Sequence, residues 1–220
     1  MTGRTIIIGD IHGCIREFEK LIDELSPTDG DQVVLLGDLV NRGPDSHRVV
    51  EFAQEKNFVA LIGNHELRLL TFHATQDPKG LKRYDHKTLD QLTSADWTYL
   101  RQMIPFLRLA DQQHLLVHGG LIPGQTPEET STEVLCNLKR LSPEDFPADQ
   151  TPPVQIATHW SKVWNGPETI VYGHTPRLAV DRQKYAIGID TGCVYGGFLT
   201  AFVLPEAKFV RIRARKPYAK

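Results

Sequence analysis

A chain of 220 residues is long enough for one domain with a sizeable core, and 40% hydrophobic with 24% charged residues is ordinary for a globular protein. Apolar runs such as Thr5–Ile8 and Val33–Leu36 are too short to span a membrane. A net charge of −2 argues neither for nor against an anionic partner, and three cysteines without an N-terminal signal-type segment point to free thiols in the cytoplasm.

The first 75 residues alternate strand and helix signals. Thr5–Gly9 is a β-branched run. Cys14–Leu25 follows, with Ile15, Phe18, Leu21, Ile22 and Leu25 at helical spacing. Val33–Leu36 reads as a strand, Asp45–Lys56 as a helix and Phe58–Ile62 as a third strand. This βαβαβ order predicts a parallel sheet with right-handed crossovers. Residues 75–105 form a polar, helical excursion, in which Ala95–Met103 is expected to be a helix capped by Ser94. Leu115–Val117, Thr169–Tyr172, Tyr185–Ile189, Phe198–Leu204 and Lys208–Arg213 read as strands, and residues 126–153 as a surface excursion. The expected architecture is α/β, a single domain over 1–220 with two sheets face to face and helices outside.

Three segments stand out: GDIHG at 9–13, GDLVNRG at 37–43 and GNHE at 63–66. Each puts Asp, His or Asn beside glycine just after a strand, where open α/β sheets place their ligands. His118 in LLVHGG and His174 in IVYGHT occur in similar settings. Asp10, His12, Asp38, Asn64, His118 and His174 thus form an oxygen-and-nitrogen donor set. Such donors suit divalent Mn, Fe or Zn, and the lack of thiolates argues against a structural zinc site. One shared carboxylate could bridge two ions about 3.5–4 Å apart, which would bind a phosphoryl oxygen and activate a water for in-line attack.

The order GD-x-HG, GD-x-x-x-RG, GNHE, HGG and GHT, over residues 5–200, resembles the calcineurin-like metallophosphoesterases. It is most similar to the branch of Ser/Thr phosphoprotein phosphatases and symmetrical bis(5′-nucleosyl)-tetraphosphatases. The resemblance implies a four-layer α/β/β/α sandwich. It implies one metal held by Asp10, His12 and Asp38, and a second held by Asp38, Asn64, His118 and His174. The ions would be manganese, with iron, zinc, cobalt or nickel as alternatives. Catalysis would rest on Asp38, on Arg42, and on His65 as proton donor to the leaving group. Arg42, Asn64 and His65 would contact the phosphate. The implied reaction is hydrolysis of diadenosine tetraphosphate, a dinucleoside polyphosphate, to two ADP. A Ser/Thr or dual-specificity protein phosphatase acting on a phosphoprotein is the alternative. Capped RNA is a further candidate substrate, and a non-catalytic scaffold of the same fold a minor alternative.

The chain also departs from this pattern. Asn41 stands where the phosphoprotein phosphatases carry an Asp that supports the acid histidine, which predicts weaker support for His65. No arginine lies between Arg140 and Arg177, so a second phosphate-gripping arginine is missing. Glu66 reads as a structural residue at the head of the third helix, Cys14 as structural, and Asp190 as part of a loop beside the site. Arg211, Arg213 and Arg215 share a strand face by period two and read as charges guarding an edge strand.

Overall fold

The structure is a computed structural model that describes residues 3–109, 113–146 and 152–220. β1 (Thr5–Ile8), β2 (Gln32–Leu35) and β3 (Val59–Ala60) pair in parallel. Their crossovers are α1 (Ile15–Leu25) and α2 (Ser46–Glu55). β11 (Phe198–Leu204) pairs antiparallel with β1, and β12 (Lys208–Arg213) adds an outer edge, giving the order β12-β11-β1-β2-β3.

A second sheet has the order β4-β5-β8-β10-β9, from β4 (Phe106–Leu109), β5 (His114–Val117), β8 (Thr169–Tyr172), β10 (Ala186–Gly188) and β9 (Asp181–Arg182). β6 (Arg140–Leu141) and β7 (Thr158–His159) form a separate ribbon. α3 (Asn64–Thr75), α4 (Arg83–Gln91) and α5 (Ser94–Arg101) fill the helical stretch, and α6 (Thr132–Asn137) lies in the excursion that follows β5.

Strand alternation builds the layers. Ile7, Val34 and Phe202 face inward onto Leu116, Val171 and Ile189 of the second sheet. Ile6, Ile8, Val33 and Leu35 face outward onto Phe18, Leu21 and Ile22 of α1 and Val49, Val50 and Ala53 of α2. On the far face of the second sheet, Leu115, Val117, Ile170 and Tyr172 meet Leu135, Trp160 and Trp164. The α/β fold therefore matches the expectation, with a thin last layer made of α6 and the turn Trp160–Lys162.

The differences from the sequence reading are local. α5 is capped by Thr93 rather than Ser94: its hydroxyl accepts from the Asp96 amide at 3.3 Å while Asp96 accepts from the Thr93 amide at 2.6 Å. That reciprocal pair outcompetes a serine one residue later. β4 has no counterpart in the sequence expectations, because FLRL is a half-buried edge with little alternation. Within the 126–153 excursion, Leu135, Cys136 and Leu141 are buried, and residues 147–151 lie outside the described residues. The edge strand β12 lays Arg211 and Arg213 over the Phe198 ring, at 5.0 and 5.7 Å. No helix among the described residues is long and apolar enough to cross a membrane.

Candidate active site

The ends of β1, β2, β3, β5 and β8 bring Asp10, His12, Asp38, Asn64, His118 and His174 to one place. Close backbone approach is part of the construction. A Cβ on Gly63 would sit 2.3 Å from Asp38 Oδ1, and one on Gly173 would sit 2.2 Å from Asp10 Oδ1. His12, Asp38, Asn41, Arg42 and His174 all have positive φ, between 48° and 73°. Non-glycine residues in this region are strained, and such strain concentrates at functional sites.

Asp38 is the hub. Its ligand atoms, with those of His12 and His65, form one cluster within 4.8 Å, and with those of His118 and His174 a second. Its two oxygens divide between them: Oδ1 lies 3.3 Å from His118 Nε2, and Oδ2 lies 3.5 Å from His12 Nε2. Asn64 Oδ1 joins the second cluster, 2.9 Å from His174 Nδ1 and 3.3 Å from His118 Nε2. Asp10 belongs to neither tight cluster. Both its oxygens accept from the His174 amide at 3.1 Å.

Backbone carbonyls set the orientation of three rings. His12 Nδ1 lies 2.9 Å from Val40 O, His118 Nδ1 2.7 Å from Leu36 O, and His174 Nε2 3.2 Å from Asn137 O. A carbonyl only accepts, so in the neutral ring each of these nitrogens carries the proton. The opposite nitrogens then point lone pairs into the site, the arrangement by which a backbone carbonyl orients a metal-binding histidine.

The buried charges also call for cations. Burial, then the neighbouring Asp190, holds the Asp10 carboxyl well above its ordinary range. Burial likewise pushes Asp190 up to about 6. Burial would raise Asp38, but His118, His65 and His12 hold it well below the usual carboxylate range. Burial works to lower His118, yet Asp38, Asp10 and Glu66 carry it up to about 10. Burial keeps His12 at about 4 and His174 at about 3. Convergent lone pairs beside several buried carboxylates suit divalent cations, so the residues present fit the implied ions.

A second set of contacts holds Arg42 and His65. The Arg42 guanidinium lies over Tyr84 at 5.5 Å and Tyr195 at 5.6 Å, with Nη1 2.9 Å from His12 Nε2. The Tyr84 ring stacks on His65, with centroids 5.1 Å apart and planes at 18°. His65 Nε2 faces Asp38 Oδ2 at 3.9 Å. On its other side, Asn41 Nδ2 lies 3.0 Å and Arg68 Nη2 3.3 Å from Nδ1. Asn41 Nδ2 also donates to Asp85 Oδ1 at 2.8 Å, and Arg68 pairs with the same carboxylate at 2.8 and 2.9 Å. His65 Nδ1 thus meets only donors, so the ring proton sits on Nε2. Burial keeps this ring neutral, at about 2.

Sequence reasoning missed Tyr84, Asp85 and Tyr195. Asp85 sits three residues after the α4 cap and accepts from the Lys82 amide at 2.5 Å, so it reads as a helix-cap residue. Tyr84 and Tyr195 have no spacing relation to the motifs. Glu66 does more than begin α3: its carboxylate accepts from the amides of Asp38, Leu39, Val40 and Gly63 at 2.8–3.1 Å and ties the second motif to the third.

The sequence profile of the calcineurin-like phosphoesterases matches residues 3–182. The chain belongs to this family. It is accordingly a metal-dependent hydrolase, a phosphoesterase. The chain is 30% identical to a protein from Oceanobacillus iheyensis named bis(5′-nucleosyl)-tetraphosphatase PrpE (asymmetrical), over 96% of this chain and 93% of that one. It is 32% identical to a protein of the same name from a Geobacillus species, over 96% and 95% of the two chains. It superposes with a TM-score of 0.83 on a crystal structure provisionally assigned as a diadenosine tetraphosphatase. The two share 30% identity over 97% of this chain and 95% of that one.

Proposed function

We propose that the chain hydrolyses dinucleoside tetraphosphates and cuts diadenosine tetraphosphate asymmetrically, into ATP and AMP. One observation carries the reading: two buried clusters converge on Asp38, in a chain whose near full-length relatives are named asymmetrical tetraphosphatases. The motif pattern alone favours two ADP, and the relatives' names move the preference to unequal products.

In this reading one divalent ion, manganese by preference, would be held by Asp10, His12 and Asp38. A second would be held by Asp38, Asn64, His118 and His174. Bound there, such ions would polarise the phosphoryl group and activate a water. Arg42, held between two tyrosines, offers planar paired donors to the phosphoryl oxygens. Asn64 adds its amide at the same phosphate. His65 gives a hydrogen bond from Nε2 to the leaving oxygen. A leaving phosphate carries its charge at neutral pH without a full proton, whereas a serine or threonine alkoxide does not. The Asn41 donor at His65 Nδ1 therefore supports anhydride cleavage over phosphoprotein hydrolysis.

The test is product analysis by chromatography with Mn²⁺ present, on diadenosine tetraphosphate, a capped RNA and a phosphopeptide panel. ATP and AMP in equal amounts are expected. Two ADP would restore symmetrical cleavage. Rapid peptide dephosphorylation beside negligible nucleotide release would overturn the reading.

A further inference from the structure

A groove of about 440 Å³ runs from the candidate active site along the outer face of α3, toward the turn at Pro78–Gly80 and α6. We propose that this groove is a nucleoside subsite, which takes one adenosine of the dinucleotide while the phosphate chain lies over the Asp38 clusters. The inference rests on the dinucleotide reading above and says where that substrate's neutral end goes.

The groove is continuous with the site at two points. Asn64 lines it and also turns Oδ1 toward His118 and His174. Asn137 lines it, and its carbonyl accepts from His174 Nε2 at 3.2 Å. A group in the groove is therefore joined to a phosphoryl group at the site by a short linker.

Charge decides which part of the substrate enters. The one guanidinium in the lining, Arg68, is already paired with Asp85 at 2.8 Å. The other charged lining residues are the carboxylates Asp77 and Glu133. A polyphosphate would be repelled here, whereas ribose hydroxyls and an exocyclic amine donate to carboxylates. Phe72 and Leu81, both half-buried, supply apolar surface for a flat base. The volume lies within the range of small-ligand sites. The lining thus favours a neutral, planar, hydrogen-bonding group over a charged one.

The first measurement compares kcat and KM for diadenosine tetraphosphate and for p-nitrophenyl phosphate, which has no nucleoside. Phe72→Ala should lower the ratio of the two kcat/KM values roughly tenfold through KM, the scale of a lost base–aromatic contact. Thr71→Trp, which fills the groove from an exposed position of α3, should do the same. An equal effect on both substrates, or an unchanged KM for the dinucleotide, would overturn the subsite.

A second measurement separates this inference from the reading beneath it. Adenosine is titrated into the metal-loaded protein with leucine methyls followed by NMR. Shifts centred on the Leu67 and Leu81 methyls support the subsite, even if the dinucleotide is not cleaved. Shifts confined to other methyls, or none at millimolar adenosine, would overturn it even if the dinucleotide is cleaved.

Discussion

Asn41 shows how one atom type redirects a histidine. Its Nδ2 donates to Asp85 and lies against His65 Nδ1, while its Oδ1 is buried without a partner. Turning the amide over would aim that oxygen at the Asp85 carboxylate, so one unmet acceptor is the lesser cost. Asn41→Asp would place a second carboxylate against Asp85. It should destabilise the fold by about 1–3 kcal/mol in urea titrations, and Asp85→Asn in the same background should recover most of the loss. An Asp at 41 would also accept from His65 Nδ1–H, so turnover of phosphoserine peptides should rise relative to dinucleotide. A neutral Asn41→Asp would contradict the donor assignment. His65→Ala should lower kcat on the dinucleotide about 10²–10³-fold, the usual effect of removing one donor to a developing negative charge. Bound metal measured by plasma mass spectrometry should hardly change. A loss of metal in that variant would make His65 a ligand instead.

At the scale of elements, the site depends on the junctions between strands and helices. The α3 head is tied to the second motif by Glu66, whose carboxylate gathers four backbone donors. Glu66→Ala would leave those buried amides without partners, at about 1–3 kcal/mol each before relaxation. The variant should lose several degrees of Tm and bind metal less tightly, because the Asp38 turn loses its anchor. Full metal affinity in a folded Glu66→Ala protein would show that the turn holds itself. α4 acts in a different way. It reaches over the site and supplies Tyr84 to Arg42 and His65, and Asp85 to Asn41 and Arg68. The strands and helices of the βαβαβ half were legible because alternation and helical spacing are carried by core side chains such as Ile7, Phe18 and Val49. The roles of α4 were not. Its residues repeat the pattern of any capped, polar helix, and only its position over the site gives Tyr84 a partner.

For the whole molecule, the decisive balance is between buried carboxylates and histidines at one end of two packed sheets. In the metal-free protein, His118 is held at about 10, above the ordinary histidine value of 6.5. The folded state then keeps a proton that the unfolded chain gives up. Its stabilising share is complete below pH 6.5 and is lost as pH rises toward 10. The Tm of metal-free protein should therefore fall between pH 7 and pH 10, and His118→Gln should flatten that slope. A divalent cation taken by His118 would have to displace this proton, so the affinity for added manganese should rise over the same window, read by calorimetry in buffers of different ionisation enthalpy. An unchanged slope in His118→Gln would assign the effect elsewhere.

The sequence by itself determined the alternation of strands and helices and singled out the candidate donor groups. Both depend on local order: apolar periodicity dictates which face is buried, and Asp, His and Asn beside glycine need only the end of a strand to reach a ligand. The tertiary structure alone decided that Asp38 turns one oxygen to each cluster, that backbone carbonyls aim the lone pairs of His12, His118 and His174, and that Asn41, Tyr84, Asp85 and Tyr195 surround the reacting end. These are contacts between residues up to 164 positions apart, such as that of the His174 amide with Asp10. No spacing rule relates such residues, because their distance is fixed by the packing of one sheet on the other.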